Sequence, residues 1–559
     1  MTTSPPSSSS SDVLQQIVSI HQDHTKTSAE KEELLKTALY GDQEGDLLSF
    51  LLQQREASSD SLIAAIQTLE RYSHLFIDII QSPHLVAWVH WLHGYHTSSE
   101  KLHTSALTML KLSWKLNIDH RAIDPHHLVA VAHYALSLIA ADSLVVAELA
   151  SRVVEAVVSR ADWNVTSQVL SRLYRDTRNH APKSVVTVRY VSLGALLSQQ
   201  SEEVARDCVS RGALPRLAFE ICRSDDVLVA INAMDLLTQF SRSAAGLEEL
   251  CDDAVLDWLI IVGCGDVSSR RPPDPLLEAE ALRVLADVFI QASKHSHAFV
   301  GKISDGCVHS FLTTVLHYLD DGTEEQRVTA LGLLADFSMI SSQSLSLLQA
   351  FQSGALLTSW LALLNSSKVE LSSAALSALV KVFDQPDEQY VRNALPAQSS
   401  TSDVRSVFSL PRQSEEEVQV EVEKITSFKR LLFQRIGEVK RVTSLHYLVK
   451  AARQPVASLR HAALDLLRAI AQQSAKGWGI RALFNNGYDV AQCEFWLYLK
   501  DRTSEHSKEG KDFKFALIEA VTHSPFRDLL GEDVASHLQV MVQQGAYYMP
   551  PRLEELETL

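Results

Sequence analysis

Apolar residues recur along the chain at intervals of three and four positions from Asp12 almost to the end. That spacing places them on one face of an α-helix. Segments 62–80, 102–116, 128–139 and 144–158 carry it clearly. No stretch sustains the period-two alternation of a half-buried strand between hairpin turns. The 20 glycines and 16 prolines fall mainly between the helical runs. Pro125, Pro182, Pro215, Pro273, Pro275 and Pro455 suit helix starts or short links. The pattern predicts an all-α protein.

A loosely recurring unit refines that expectation. Val209–Ser243 reads VSRGALPRLAFEICRSDDVLVAINAMDLLTQFSRS, and Phe351–Asp384 reads FQSGALLTSWLALLNSSKVELSSAALSALVKVFD. Each copy opens with a short helix closed by Gly212 or Gly354 and continues into a second apolar helix. A polar break with helix-capping residues follows, Ser224-Asp225-Asp226 or Asn365-Ser366-Ser367, and then a long Ala- and Leu-rich helix. Ala233, Ala374 and Ala375 offer the small side chains that close helix packing requires. Such units resemble the armadillo/HEAT repeat class, whose period is roughly 40–47 residues. The expected fold is therefore a right-handed α-solenoid. Residues 1–11 are expected to be a disordered polar tail, 12–384 N-terminal and central repeats, 415–549 C-terminal repeats and 550–559 a tail. Residues 385–414, containing LPAQSSTSD, read as a mobile insertion. SEEEVQVEVEK then opens a helix with a capping box from Ser414.

Composition narrows the function. The chain is 46% hydrophobic and 21% charged, enough to bury a sizeable core, and its net charge of -17 comes from 51 basic against 68 acidic side chains. Phosphate backbones require clustered Lys and Arg, so nucleic acid is not an expected partner. An acidic balance favours solubility and protein partners with basic faces. Cys208, Cys222, Cys251, Cys264, Cys307 and Cys493 form no Cys-x-x-Cys pair and read as small core residues in a reducing compartment. MTTSPPSSSSS has neither a basic n-region nor an apolar h-region, so it is not read as a secretory signal, and no segment has about 18 consecutive apolar residues to span a membrane. A cytoplasmic or nuclear location is expected.

Candidate chemistry is sparse. His84, His90, His93, His96, His103, His120, His126, His127 and His133 concentrate in one region. His90 and His93 share a helical turn, but no HExxH arrangement or nearby Cys completes a zinc set. Boundary positions on amphipathic helices explain these histidines more simply. Gly-rich phosphate loops and a GxSxG elbow are absent. Neither an enzyme nor a cofactor is therefore expected, although a metal-dependent enzyme built on the histidines stands as an alternative. More informative are polar stripes on the last helix of each unit. Asn232, Asp235, Gln239 and Arg242 are spaced three, four and three apart and share a face. Glu280, Arg283, Asp287 and Gln291 form a second stripe, Ser373, Ser377 and Lys381 a third, and His461, Asp465, Arg468 and Gln472 a fourth. Third helices line the concave side of armadillo-type stacks, so the stripes predict a partner-binding groove. Taken singly, each stripe reads more simply as the wet side of a half-buried helix; the concave surface as a whole favours binding.

The C-terminal third carries a narrower resemblance. LRHAALDLLRAIAQQSAKGWGIRALFNNGYD, YLKDRTSEHSKEGKDFKFALIEAVTHS and QQGAYYMPP resemble the proteasome non-ATPase regulatory subunit 5 family. The features are Ala469-Ile470-Ala471 before Trp478 and Leu483-Phe484, the charged run Asp501-Arg502, Glu505, Lys508, Lys511 and Lys514, and Gly545, Tyr547, Tyr548 and Pro550. About one hundred residues are covered well; 489–494 look inserted, and the first 200 residues share only a helical-repeat character. The resemblance implies a base-assembly chaperone of the 19S regulatory particle. Such a chaperone binds the C-terminal domain of the first base ATPase and holds it in one module with the second ATPase and the largest non-ATPase scaffold subunit. A generic armadillo adaptor or transport scaffold is the other interaction reading, but the Trp ladder of importin-type carriers is missing. Trp478 is expected to pack between repeats, Tyr547 and Tyr548 to cap the apolar end of the stack, and Lys508, Lys511 and Lys514 to form a solvated helix face.

Overall fold

In the computed structural model the described residues are 10–35 in part, scattered positions from 48 to 68, and 82–94, 100–116, 123–181, 184–264, 274–295, 303, 305–337, 355–384, 415–473, 475–484 and 490–548. Regular structure among them is helical throughout. The insertion at 385–414, most of the 62–80 run, Pro182, Gly354, His96 and His120 lie outside the described residues. The chain divides into two compact units, residues 1–249 and 250–559.

In the first unit, helices Pro125–Leu138, Leu144–Val158, Trp163–Arg178, Val185–Ser198, Leu214–Cys222 and Val227–Phe240 each begin where a polar cap or a proline predicts. Asp124, Ser143, Asp162, Ser184 and Asp226 accept hydrogen bonds from the first-turn amides of their helices, satisfying donors that have no intrahelical partner. Pro125 and Pro215 occupy first-turn positions, where a missing N–H is harmless. Gly212 has an ordinary φ. A Cβ there would lie 2.6 Å from the Tyr174 ring, so its small size serves a close approach. The left-handed turn falls one residue later, at Ala213 with φ 50°.

The second unit builds two layers. Pro275–His295, Glu324–Phe337, Val369–Asp384, Ala457–Ala471, Lys508–Thr522 and Glu532–Gln544 pack each against the next as rungs. Asp253–Gly263, Asp305–Asp321, Ala355–Leu363, Glu415–Ile436, Ser444–Ala451 and Glu494–Lys500 cover them as an outer layer. Sequential packing of this kind, each repeat touching its neighbours, defines an α-solenoid of armadillo-like repeats.

Polar bonds between repeats report the period directly. In the first unit Gln200 donates to the Glu155 carbonyl at 3.2 Å across 45 residues, and the Ala245 amide donates to Glu202 at 3.1 Å across 43. The second unit repeats the interval in Lys381–Asp336 at 2.8 Å (45 residues) and Arg460–Glu505 at 2.9 Å (45 residues). Ala233 and Ala375 are fully buried at helix contacts, whereas Ala374 is only half-buried. All six cysteines are free, and five are buried. Burial pushes the thiols of Cys208 and Cys307 up to about 12, which keeps them protonated and inert.

Candidate partner-binding surface

The first unit presents one predicted stripe. Asn232 and Asp235 are exposed on Val227–Phe240, and Gln239 donates to Asp235 at 2.8 Å. Arg242 lies beyond the helix end. The same unit also exposes apolar residues that periodicity alone does not single out. Leu144, Val185 and Leu228 lie in the first turns of three helices that pack in series, and each is more than 60% exposed. An apolar residue one or two positions after a helix cap was the available signal.

In the second unit two stripes reach onto the preceding rung. Glu280 and Arg283 pair at 3.1 Å within their helix, and Asp287 is half-buried one turn further on. Ser377 is exposed. Lys381 reaches Asp336 of the preceding rung. Arg468 bonds Asp465 at 2.7 Å and Gln472 at 2.9 Å in its own helix, and Asp384 of the preceding rung at 2.8 Å. The result is a strip of alternating sign running from Asp336 to Gln472 across three rungs. His461 departs from this pattern. Its ring stacks on Phe513 of the next rung at 4.8 Å, and its buried Nε2 has no hydrogen-bond partner among the described residues. Beneath the strip, Gln473 ties the repeats together, donating to the Phe383 and Ala469 carbonyls and accepting from Lys429 at 3.0 Å.

The C-terminal charged run behaves differently from the expected solvated face. Lys508 is exposed and Lys511 half-buried, but Lys514 is only 4% exposed. Its ammonium donates to the carbonyls of Tyr498 (2.7 Å) and Asp501 (2.6 Å) and to Ser504 Oγ (2.7 Å), and sits 4.2 Å from the centre of the Tyr498 ring. Burial lowers its pKa from 10.5 to about 8. Glu505 is likewise buried and meets Arg460. The run is thus an internal lock between the 457–471 and 508–522 helices. Trp478 is buried as expected, 6.3 Å from the Phe383 ring and 6.4 Å from the Phe433 ring. Tyr547 stays 53% exposed rather than closing the end of the stack; its hydroxyl donates to Asp512 at 2.6 Å.

In the histidine-rich region, described rings take part in hydrogen bonds. His103 Nδ1 lies 2.8 Å from the Tyr134 hydroxyl, and His93 Nδ1 lies 3.2 Å from Ser137 Oγ. Burial and the neighbouring His93 push the His103 pKa down, and burial with the Arg172 and Arg175 charges does the same at His133. A cavity of about 430 Å³ is lined by His90, His93, His126, His133 and Arg172. Among the described residues no group of three His, Cys, Asp or Glu side chains is placed to hold a metal ion. No described helix is long and apolar enough to cross a membrane.

Residues 406–554 match the family described as proteasome non-ATPase 26S subunit. The 26S proteasome non-ATPase regulatory subunit 5 of Bos taurus is 22% identical over 372 residues, covering 66% of this chain. That of Homo sapiens is 24% identical over 379 residues, with the same coverage. Each match spans 62% of the relative's own length, less than two thirds. Among solved structures, a designed armadillo repeat protein is 14% identical with a TM-score of 0.30, covering 55% of this chain and 99% of that one. A chain from a study of the cadherin–β-catenin interaction is 10% identical with a TM-score of 0.32, covering 88% and 94%.

Proposed function

We propose that this chain, which resembles the 26S proteasome non-ATPase regulatory subunit 5 family, is a non-enzymatic chaperone for assembly of the 19S regulatory particle base. The family match over residues 406–554 carries the reading. The charged strip of the second unit supports it, because the repeats offer a ready-made extended surface to another polypeptide. On this reading the chain binds the C-terminal domain of a base ATPase. It holds that ATPase together with a second one and the largest non-ATPase scaffold subunit, and is released before the complete particle forms. Steric cover of the ATPase delays docking on the core particle. Stripe residues make the contact: exposed Asn232 and Asp235 with half-buried Gln239 in the first unit, and exposed Arg283, Ser377 and Lys381 in the second, with Glu280, Asp287, Asp465 and Arg468 setting their charge pattern. His461 serves the contact only through the Phe513 ring it supports. The site of action is the cytoplasm or the nucleus.

The test is affinity purification of the tagged chain from cells. Base ATPases and their scaffold subunit are expected in the eluate, with little mature proteasome. An eluate of unrelated cargo without any ATPase overturns the proposal.

A further inference from the structure

The segment that carries the family match also contains a basic pocket of about 620 Å³ that none of the stripes predicted. Three short pieces of chain build it. Arg430, Phe433 and Gln434 share a face of Glu415–Ile436, since residues three and four apart on a helix are neighbours. Lys476 projects from a turn in which it and Gly477 are both left-handed, with φ of 54° and 64°. Trp478 and Arg481 follow on Trp478–Leu483, again three apart. The turn is tightly specified, because a Cβ on Gly477 would lie 2.6 Å from the Phe526 ring. A non-glycine residue held at positive φ is a strained conformation that the surroundings must enforce, and such residues cluster at functional sites.

The charges of the pocket are largely available. The Arg430 guanidinium lies 6.0 Å from the centre of the Trp478 ring. Neither it nor Arg481 meets a carboxylate among the described residues, and both are exposed. Lys476 pairs with Glu423 at 3.2 Å, but both side chains are more than half exposed, so an incoming carboxylate exchanges easily for Glu423. Three cations around an aromatic floor stand out in a chain of net charge -17. Guanidinium groups pair with carboxylates through two parallel hydrogen bonds, and an aromatic floor shields those bonds from water and accepts an apolar side chain. The volume lies within the range of specific ligand pockets, roughly 300–1,000 Å³. A stacked nucleobase fits less well, since Arg430 faces the Trp478 ring and the Phe383 and Phe433 rings flank it.

We propose that this pocket receives an acidic segment of a partner polypeptide, with carboxylates on Arg430 and Arg481 and an adjacent apolar side chain over Trp478 and Phe433. The inference deepens the chaperone reading by naming a contact point, and it rests on that reading only for the identity of the partner. The experiment uses the full chain and fluorescence anisotropy of a short labelled peptide in which one Leu is flanked by Glu residues, beside its Gln counterpart. The Glu peptide is expected to bind saturably and about tenfold or more tighter than the Gln peptide, and to weaken as salt is raised. R481E is expected to weaken it by about tenfold and R430E/R481E further, with thermal melts unchanged because both side chains are exposed. Equal binding of the two peptides, unchanged binding by the double variant, or displacement of the peptide by an equimolar amount of ATP each overturns the assignment. Affinity purification with R430E/R481E separates the two proposals. Undiminished ATPase recovery sinks the pocket as a contact point and leaves the chaperone reading intact, whereas absence of ATPase from the wild-type eluate sinks the chaperone reading and leaves the peptide assay to decide the pocket.

Discussion

Replacing Arg460 by Met tests whether the C-terminal repeats are locked by a buried charge pair. Arg460 Nε donates to Glu505 Oε2 at 2.9 Å, and the two side chains are only 13% and 1% exposed. Charge centres about 4 Å apart attract by about 4 kcal/mol at an effective dielectric constant near 20. Removing one member strands the other, which is destabilising by about 3–5 kcal/mol. Glu505 has little recourse, because its Oε1 already lacks a partner among the described residues and Gly510 packs directly against Oε2. The Lys514 ammonium supplies some remaining attraction, so R460M is expected near the lower end, about 3 kcal/mol. Removing both charges in R460M/E505L is expected to recover most of that loss, since an apolar pair strands nothing. Hydrogen exchange on the full chain, followed in peptides covering 457–471 and 494–522, reads the local opening free energy. Protection in R460M within about 0.5 kcal/mol of wild type, or a double variant as destabilised as the two single variants added together, would refute the reasoning.

Three further outcomes are expected. Asp235→Arg should leave the melt within about 0.5 kcal/mol of wild type while weakening ATPase recovery, whereas Arg468→Glu should also cost about 1–2 kcal/mol, because Arg468 is bonded to Asp465, Gln472 and Asp384; a denaturant series on both variants separates binding from stability. Trp478→Ala should destabilise the second unit by about 3–5 kcal/mol, measured as early loss of exchange protection in 415–436 and 457–471, and a wild-type profile would show that the ring is not a packing residue. Lys514 has a folded pKa of about 8 against an ordinary 10.5, so between these values the unfolded chain binds more protons and stability rises with pH by roughly 1–3 kcal/mol. Lys514→Met should flatten that rise in denaturant titrations across the same window, and an unaltered slope would assign it to other groups.

The helical architecture was legible because it rests on local rules. Caps at Ser224-Asp225-Asp226 and prolines at 125 and 215 act within one turn, and the structure places helix starts there. Gly212 was legible as a repeat boundary but not in its physical role. The glycine avoids Tyr174, a residue nearly forty positions earlier, and leaves the left-handed geometry to Ala213. The stripes were partly legible for the same reason. Periodicity identifies which side chains of a rung face away from the core, but it does not say what stands on the next rung. Asp336 and Asp384 escaped notice, although Lys381 and Arg468 depend on them. A search for opposite charges about 45 residues apart, the repeat period itself, would have found Asp336–Lys381 and Arg460–Glu505.

Lys514 and Arg481 mark where that kind of reading ends. On a helical wheel both are cations near other cations and look equally solvated. One is buried under a tyrosine ring with three acceptors, and the other stands exposed beside a tryptophan. The difference lies in the loops before each helix. Residues 501–504 fold back to offer Lys514 two acceptors, while the left-handed Lys476-Gly477 turn swings Arg481 to the pocket rim. For these two cations the preceding turn, and not the helix face, decides between burial and exposure. An ammonium enclosed by carbonyls must give up solvent and holds the stack together, and a guanidinium left at a rim keeps its full field for a partner. Stability and the proposed pocket contact can then be altered separately: Lys514 and Arg460 act in the first, and Arg430 and Arg481 in the second.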